Sequence, residues 1–134
     1  MLLSAAERAR NRAQNDEAGF TLIALLVVVI IIGILAAIAI PTFLNQRKKG
    51  WESAVKSDLR NYAIVMETHL TEAGAYNATT PALPSPVQSD SVALTVPSTF
   101  LTADGYCLEG RHAKLSGDVW SLKPGGALAK AACS

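Results

Sequence analysis

Polar and apolar positions divide this chain sharply. Leu22 to Ile40 is apolar at every position, broken only by the small residues Ala24, Gly33, Ala36, Ala37 and Ala39. As a helix at about 1.5 Å per residue this run reaches roughly 28 Å, close to the ~30 Å hydrocarbon thickness of a bilayer. The pattern then changes rather than ends. Trp51, Val55, Leu59, Tyr62, Met66, Leu70 and Ala73 recur at steps of three and four, which places them on one helical face. Glu52 and Lys56 form a favourable i,i+4 pair on another face. One helix from Phe20 to about Ala73 follows, apolar in its first half and amphipathic in its second, with Gly74 as its stop. Pro41 lacks an amide donor and crowds the preceding turn, so a kink or local melting is expected near Ala37–Pro41.

Tyr76 to Pro97 is different material. It carries Pro81, Pro84, Pro86 and Pro97, many Ser and Thr, and no basic residue, and it reads as an exposed connector. Asn77-Ala78-Thr79 fits a glycosylation sequon, a short pattern of low specificity. Strands are expected at Val92–Val96, Gly105–Gly110 and Val119–Leu122, with Ser116-Gly117-Asp118 as the turn between the last two. The fold class is therefore α+β: a long N-terminal helix packed against a small C-terminal antiparallel sheet of three or four strands.

At 134 residues there is room for one small domain, and a formal net charge of +1 argues against general nucleic-acid binding. Arg111, Lys114, Lys123 and Lys130 outnumber Glu109 and Asp118 after Cys107, a mildly basic surface best read as a solvated face. Cys107 and Cys133 are the two cysteines. If the apolar run carries the C-terminal part out of the cytoplasm, a disulfide is the default for such a pair, with two unconnected thiols as the alternative. Catalytic chemistry finds no support. His69 and His112 lack neighbours at metal-ligand spacing, His112 reads as a satisfied surface histidine, and Gly125-Gly126 is a turn signal, not a phosphate loop. No catalytic residue, cofactor or metal is expected. The apolar run admits a plain single-pass anchor, or a signal peptide with Arg8, Arg10 and Arg12 before it and Ala37-Ile38-Ala39 as cleavage site. Its length and the acids Asp16 and Glu17 oppose the second. Arg47, Lys48 and Lys49 balance the three upstream arginines, so loop charge gives no orientation.

A third reading rests on residue order. Gly19-Phe20-Thr21-Leu22-Ile23, the aliphatic run, Gly33, and Ala36-Ala37-Ile38-Ala39-Ile40-Pro41 closely resemble the N-terminus of type IV pilins and the related pseudopilins, from Gly19 to about Ala63. The resemblance implies a prepilin. A membrane peptidase would cut after Gly19 and methylate the new amino terminus at Phe20. Residues 1–19 would be a polar cytoplasmic leader without fixed order. Residues 20–50 would form the transmembrane and filament-core half of the helix, and 51–134 the globular head. The implied partners are the lipid bilayer before assembly, the prepilin peptidase, a pilus assembly platform in the membrane, and other pilin subunits, in a homo- or hetero-oligomer. The implied location is the bacterial inner membrane, head outside, then an extracellular filament. Pilins also staple the last segment to the sheet through a pair such as Cys107 and Cys133. Their glycine and proline at the positions of Gly33 and Pro41 flank a segment that loosens on assembly.

One position departs from the family. Most type IV pilins carry a glutamate at the fifth mature residue, where this chain has Ala24. That acid meets the amino terminus of a neighbouring subunit in the apolar core, a partner that repays the cost of a buried carboxylate. Ala24 is consistent with a tip subunit, with a minor or divergent subunit held by apolar packing, or with an engineered substitution. A pseudopilin of a type II secretion or DNA-uptake machine is the nearest alternative function. A membrane-anchored binding module is the alternative of another class.

Overall fold

The computed structural model describes the backbone of residues 2–134, while the side chains of 1–7, 9 and 11–20 lie outside the described residues. The expected cleavage pair Gly19–Phe20 falls within that second group. Helix α1 runs from Leu2 to Ala73, followed by strands β1 (Val92–Thr95), β2 (Leu108–His112) and β3 (Trp120–Leu122). The chain separates into two units, Met1–Asn45 and Gln46–Ser134.

The first unit differs from expectation in its N-terminal segment and in showing no local melting at Pro41. The segment expected to be a leader is helical from Leu2, not without order. Its Ala, Arg, Glu and Gln content favours helix, and neither Gly nor Pro interrupts it before Gly19. The helix also continues through Pro41, with no melted turn around Ala37–Pro41. The following turn carries an extra bond there, as Thr42 Oγ1 donates to the Ile38 carbonyl at 3.0 Å. Neighbouring turns of a long apolar helix hold their own hydrogen bonds, so the loss of one amide donor does not unwind it.

In the second unit, α1 supplies one wall of the core. Val55, Leu59, Tyr62 and Met66 are buried, as the stripe predicts, with Asp58 and His69 buried beside them, while Trp51 and Leu70 are half-buried. Gly74 ends the helix at φ +78°, its amide donating to the Leu70 carbonyl at 2.8 Å. This is the left-handed cap that glycine adopts without a Cβ penalty.

The sheet has order β1-β2-β3 and is antiparallel throughout. Leu94 pairs with Gly110, and Gly110 with Trp120; Leu108 pairs with Leu122. Strand side chains alternate between faces, so Val92, Leu94, Leu108, Gly110, His112, Trp120 and Leu122 share the buried face. Gly110 is where helix and sheet come closest: a Cβ there would lie 2.8 Å from Val55 Cγ1 and 3.1 Å from Leu59 Cδ1. Ser121 points to the other face yet is buried, because Ala129 pairs with it through two backbone hydrogen bonds of 2.8 and 3.0 Å.

β1 ends at Thr95, one residue earlier than expected, and β3 begins one later. β2 is displaced more, occupying Leu108–His112 instead of Gly105–Gly110. The Gly105 carbonyl is taken by Thr102, whose amide and hydroxyl donate to it at 2.9 and 3.2 Å, so Gly105 closes a loop. At the other end Arg111 and His112 still pair with Ala93 and Val92. The turn then occupies Ala113 to Asp118, closed by the Leu115 amide on the His112 carbonyl at 2.9 Å and by Gly117 at φ +85°.

Candidate assembly site

The first unit presents the apolar surface. From Thr21 to Gly50 every side chain is exposed except Ala36, and no charge occurs between Thr21 and Gln46. α1 is long and apolar enough here to cross a membrane, by length and composition. Ala24 lies on this surface among aliphatic neighbours, which offer no buried charge for a carboxylate or an amine to meet. Gly33 lies nine residues further along the same helix, and a Cβ built on it meets nothing within 4 Å. Packing within this chain therefore does not demand a glycine at that position.

The head is held by contacts that reach across the sequence. Cys107 and Cys133 form a disulfide, with Cα atoms 6.0 Å apart. Cys107 lies just before β2 rather than within it, correcting the expected strand placement. The Glu109 carboxylate receives the Cys133 amide at 2.8 Å and the Arg111 guanidinium at 3.5 Å. Lys130 reaches Glu52 at 3.8 Å and Asp118 at 3.0 Å, so the last segment is also tied to α1 by charge. The expected Glu52–Lys56 pair is present at 3.9 Å.

The connector is fastened to α1 at two points. Asp58, buried on the helix, accepts from the Ser89 amide at 2.6 Å and from the Ser89 hydroxyl at 2.9 Å. Tyr62 Oη donates to the Pro84 carbonyl at 3.0 Å. Lower on the helix, Glu67 Oε1 accepts from Tyr76 Oη at 2.9 Å and from Tyr106 Oη at 3.4 Å. Burial raises the pKa of all three tyrosines, and the Glu67 carboxylate pushes Tyr76 and Tyr106 further in the same direction.

Asp58, Glu67 and Glu109 were not singled out by the sequence pattern. Asp58 had a trace, since it sits three residues after Val55 on the buried face, where a charge needs a partner. Glu67 and Glu109 had none, because their partners are 39 and 24 residues away at most. His112 is buried, not a surface residue: its ring stacks on Trp51 with centroids 5.5 Å apart, and Nδ1 accepts the Lys114 amide at 3.1 Å. His69 is fully buried among the core side chains. Among the described residues, no group of three or more His, Cys, Asp or Glu could hold a metal ion.

Comparison with known proteins agrees with this architecture. A family model described as the prokaryotic N-terminal methylation motif matches residues 14–40. The type IV wide pilus major component PilA4 of Thermus thermophilus is 34% identical over 103 residues, covering 76% of this chain and 77% of that protein. The type II secretion system core protein G of Escherichia coli is 29% identical over 109 residues, covering 81% of this chain and 70% of its own length. The type IV major pilin PilE1 of Neisseria gonorrhoeae is 31% identical over 121 residues, covering 82% of this chain and 55% of the pilin. With the N-terminal motif, the exposed apolar helix and the stapled sheet all in place, the chain belongs to the type IV pilin (prepilin) family.

Proposed function

We propose that this chain is a structural subunit of a type IV pilus or pilus-like filament, made as a prepilin and assembled through its N-terminal helix. One observation carries the reading. The head completes its own core, yet the helix exposes an uncharged apolar surface from Leu22 to Leu44. Such a surface is stable only in lipid or against similar helices. Lipid serves before assembly and other subunits afterwards. Residues 1–19 act as the cytoplasmic leader, 20–50 as anchor and filament core, and 51–134 as the head. The prepilin peptidase cuts after Gly19 and methylates Phe20, and a membrane assembly platform draws the subunit from the inner membrane into the fibre. Ala24, Gly33 and the alanines near Pro41 suit close helix approach, where small residues let backbones meet.

N-terminal mass analysis of the mature protein tests this. The expected terminus is Phe20 carrying one methyl group. A terminus at Met1 would indicate a simple anchor, and one at Ile40 an exported soluble domain; either overturns the proposal. Ala24→Glu tests position in the fibre: more subunit in sheared filaments indicates a shaft role, and an unchanged filament-to-membrane ratio indicates a tip or acid-independent role.

The second reading, a pseudopilin of a secretion machine, is favoured by the relationship to core protein G. The Cys107–Cys133 staple favours the pilus. Recovery of the chain in sheared surface fibres at native expression supports the pilus, and its retention in the cell envelope supports the secretion machine.

A further inference from the structure

Within the Gln46–Ser134 unit, the outer face of α1 carries opposite charges at its two ends. At the first end Lys49, Lys56 and Arg60 line one groove with Glu52 and Ser53. Glu52 is the acid of that groove, and it is shared between Lys56 at 3.9 Å and Lys130 at 3.8 Å. Lys49 and Arg60 are exposed, and among the described residues no ion pair or hydrogen bond engages either side chain. Ser89, and with it Asp90, is held against the opposite, buried face by Asp58. At the other end Glu72 occupies the last turn, where the helix dipole disfavours an acid and no basic residue offsets it. Asp104 joins it there, because the carbonyl of Ala103 receives the Tyr76 amide at 3.1 Å and keeps that loop by the helix end. Both carboxylates are exposed and equally unengaged among the described residues. Between the two ends stands Ile64, 65% exposed. Thr68 and Thr71 donate their hydroxyls back to the Ile64 and Glu67 carbonyls at 3.0 Å, so the middle of the face needs no polar partner.

We infer that this face is a contact between heads, in which the acidic end of one copy, Glu72 with Asp104, docks on the basic groove of Lys49, Lys56 and Arg60 in the next. The inference rests on the proposed filament and adds to it what sets the register of the heads. Glu72 lies about 18 Å along the helix from Arg60 and about 35 Å from Lys49. Both spans exceed the ~10 Å screening length at 0.1 M salt, so the two ends do not neutralise each other within one head. A second copy supplies both signs at once. A polyanion would fill the groove but leave Glu72 and Asp104 without partners. Arg60 and Glu72 also differ by about 120° around the helix, so the two charged ends lie on different flanks. Contacts between unlike surfaces run head to tail and stay open, as a filament requires, where contacts between like surfaces close into pairs. Parallel copies displaced by about 18 Å bring Glu72 level with Arg60 of the neighbour, and Ile64 gives the contact an apolar centre inside a charged rim.

The test uses the full chain and the yield of sheared fibres relative to subunit left in the membrane. Arg60→Glu and Glu72→Lys, each alone, are expected to lower that ratio by about fivefold, because each sets like charges against one another at the contact. The double variant, Arg60→Glu with Glu72→Lys, should recover at least half of the parent ratio. Circular dichroism of each variant in detergent confirms that the head stays folded. A second arm adds Ser53→Cys and Thr68→Cys, both exposed, to the otherwise unchanged chain. They stand about 22 Å apart along one helix, too far to be bridged within a copy. The native cysteines are held in their disulfide, so a short bismaleimide reacts at the new positions. A ladder of multimers from cross-linked fibres is expected. Cross-linked dimers without higher multimers would mean a closed pair, and no cross-linking above the parent would mean no such contact; either overturns the inference. Parent-level yields from both single variants, or loss in Arg60→Glu that the double variant does not recover, also overturn it, the latter by assigning the groove to another anion. In all these cases the parent chain still forms fibres and the filament reading stands. Absence of the parent chain from sheared fibres overturns that reading instead.

Discussion

Gly110→Ala tests how closely the helix and sheet fit. The added Cβ would sit 2.8 Å from Val55 Cγ1 and 3.1 Å from both Cγ and Cδ1 of Leu59. Neither neighbour can yield cheaply. Val55 is β-branched and stiff at χ1, and both residues are fully buried. Overpacking of this kind costs about 1–3 kcal/mol, while replacing glycine within a strand returns about 0.5–1 kcal/mol of backbone entropy. The clash wins, with a net loss of about 1–2 kcal/mol. For a head of this size that lowers Tm by roughly 5–15 °C. Thermal unfolding of the full chain in detergent, followed by circular dichroism, reads the change. Gly50→Ala is the control: its Cβ would meet nothing within 4 Å, so the same backbone gain should appear as a small stabilisation. Adding Val55→Ala to Gly110→Ala should give a double variant more stable than the sum of the two losses by about 0.5 kcal/mol or more, because space made at one residue relieves the other. An unchanged Tm for Gly110→Ala, or strict additivity with Val55→Ala, would refute the close approach.

Three further outcomes are expected. Removing the disulfide with Cys107→Ala and Cys133→Ala, whose sequence separation is 26, should lower unfolding free energy by about 3–4 kcal/mol, read as a drop in denaturant midpoint; a midpoint insensitive to reductant in the parent chain would contradict this. Asp58→Ala removes the acceptor of two Ser89 bonds and should cost about 2–3 kcal/mol, with faster proteolysis confined to the Tyr76–Pro97 connector; uniform sensitivity along the chain would mean the tether is not local. Because Tyr76 and Tyr106 have pKa values above that of free tyrosine, the folded head holds their protons more tightly than the unfolded chain, so their contribution is complete below about pH 10 and is lost as pH rises through the folded values. Denaturant midpoints should therefore fall above about pH 10, and Tyr106→Phe should flatten that fall; an identical slope in the variant would remove Tyr106 from the explanation.

Period and composition alone fixed the two halves of α1, because a helical stripe and an uncharged run are local patterns that any part of the chain can be read for. The Gly74 stop, the proline-bearing connector and the antiparallel strands were legible for the same reason. Their limits were less so: β2 moved by several residues because Thr102 claims the Gly105 carbonyl, a contact that strand propensity does not contain. The helical start at Leu2 and the absence of a melted turn at Pro41 depart from single-residue preferences because the cooperativity of a long helix outweighs them. Only the tertiary structure decided that Gly110 meets Val55, that Asp58 holds Ser89, that Glu67 serves two tyrosines, and that Lys114 joins Arg47 over Trp51. Each of these joins α1 to a partner outside the helix, and all but Tyr76 come from a distant part of the chain. Distances across the fold depend on sheet register and turn geometry together, and neither is written in the spacing of residues along one element.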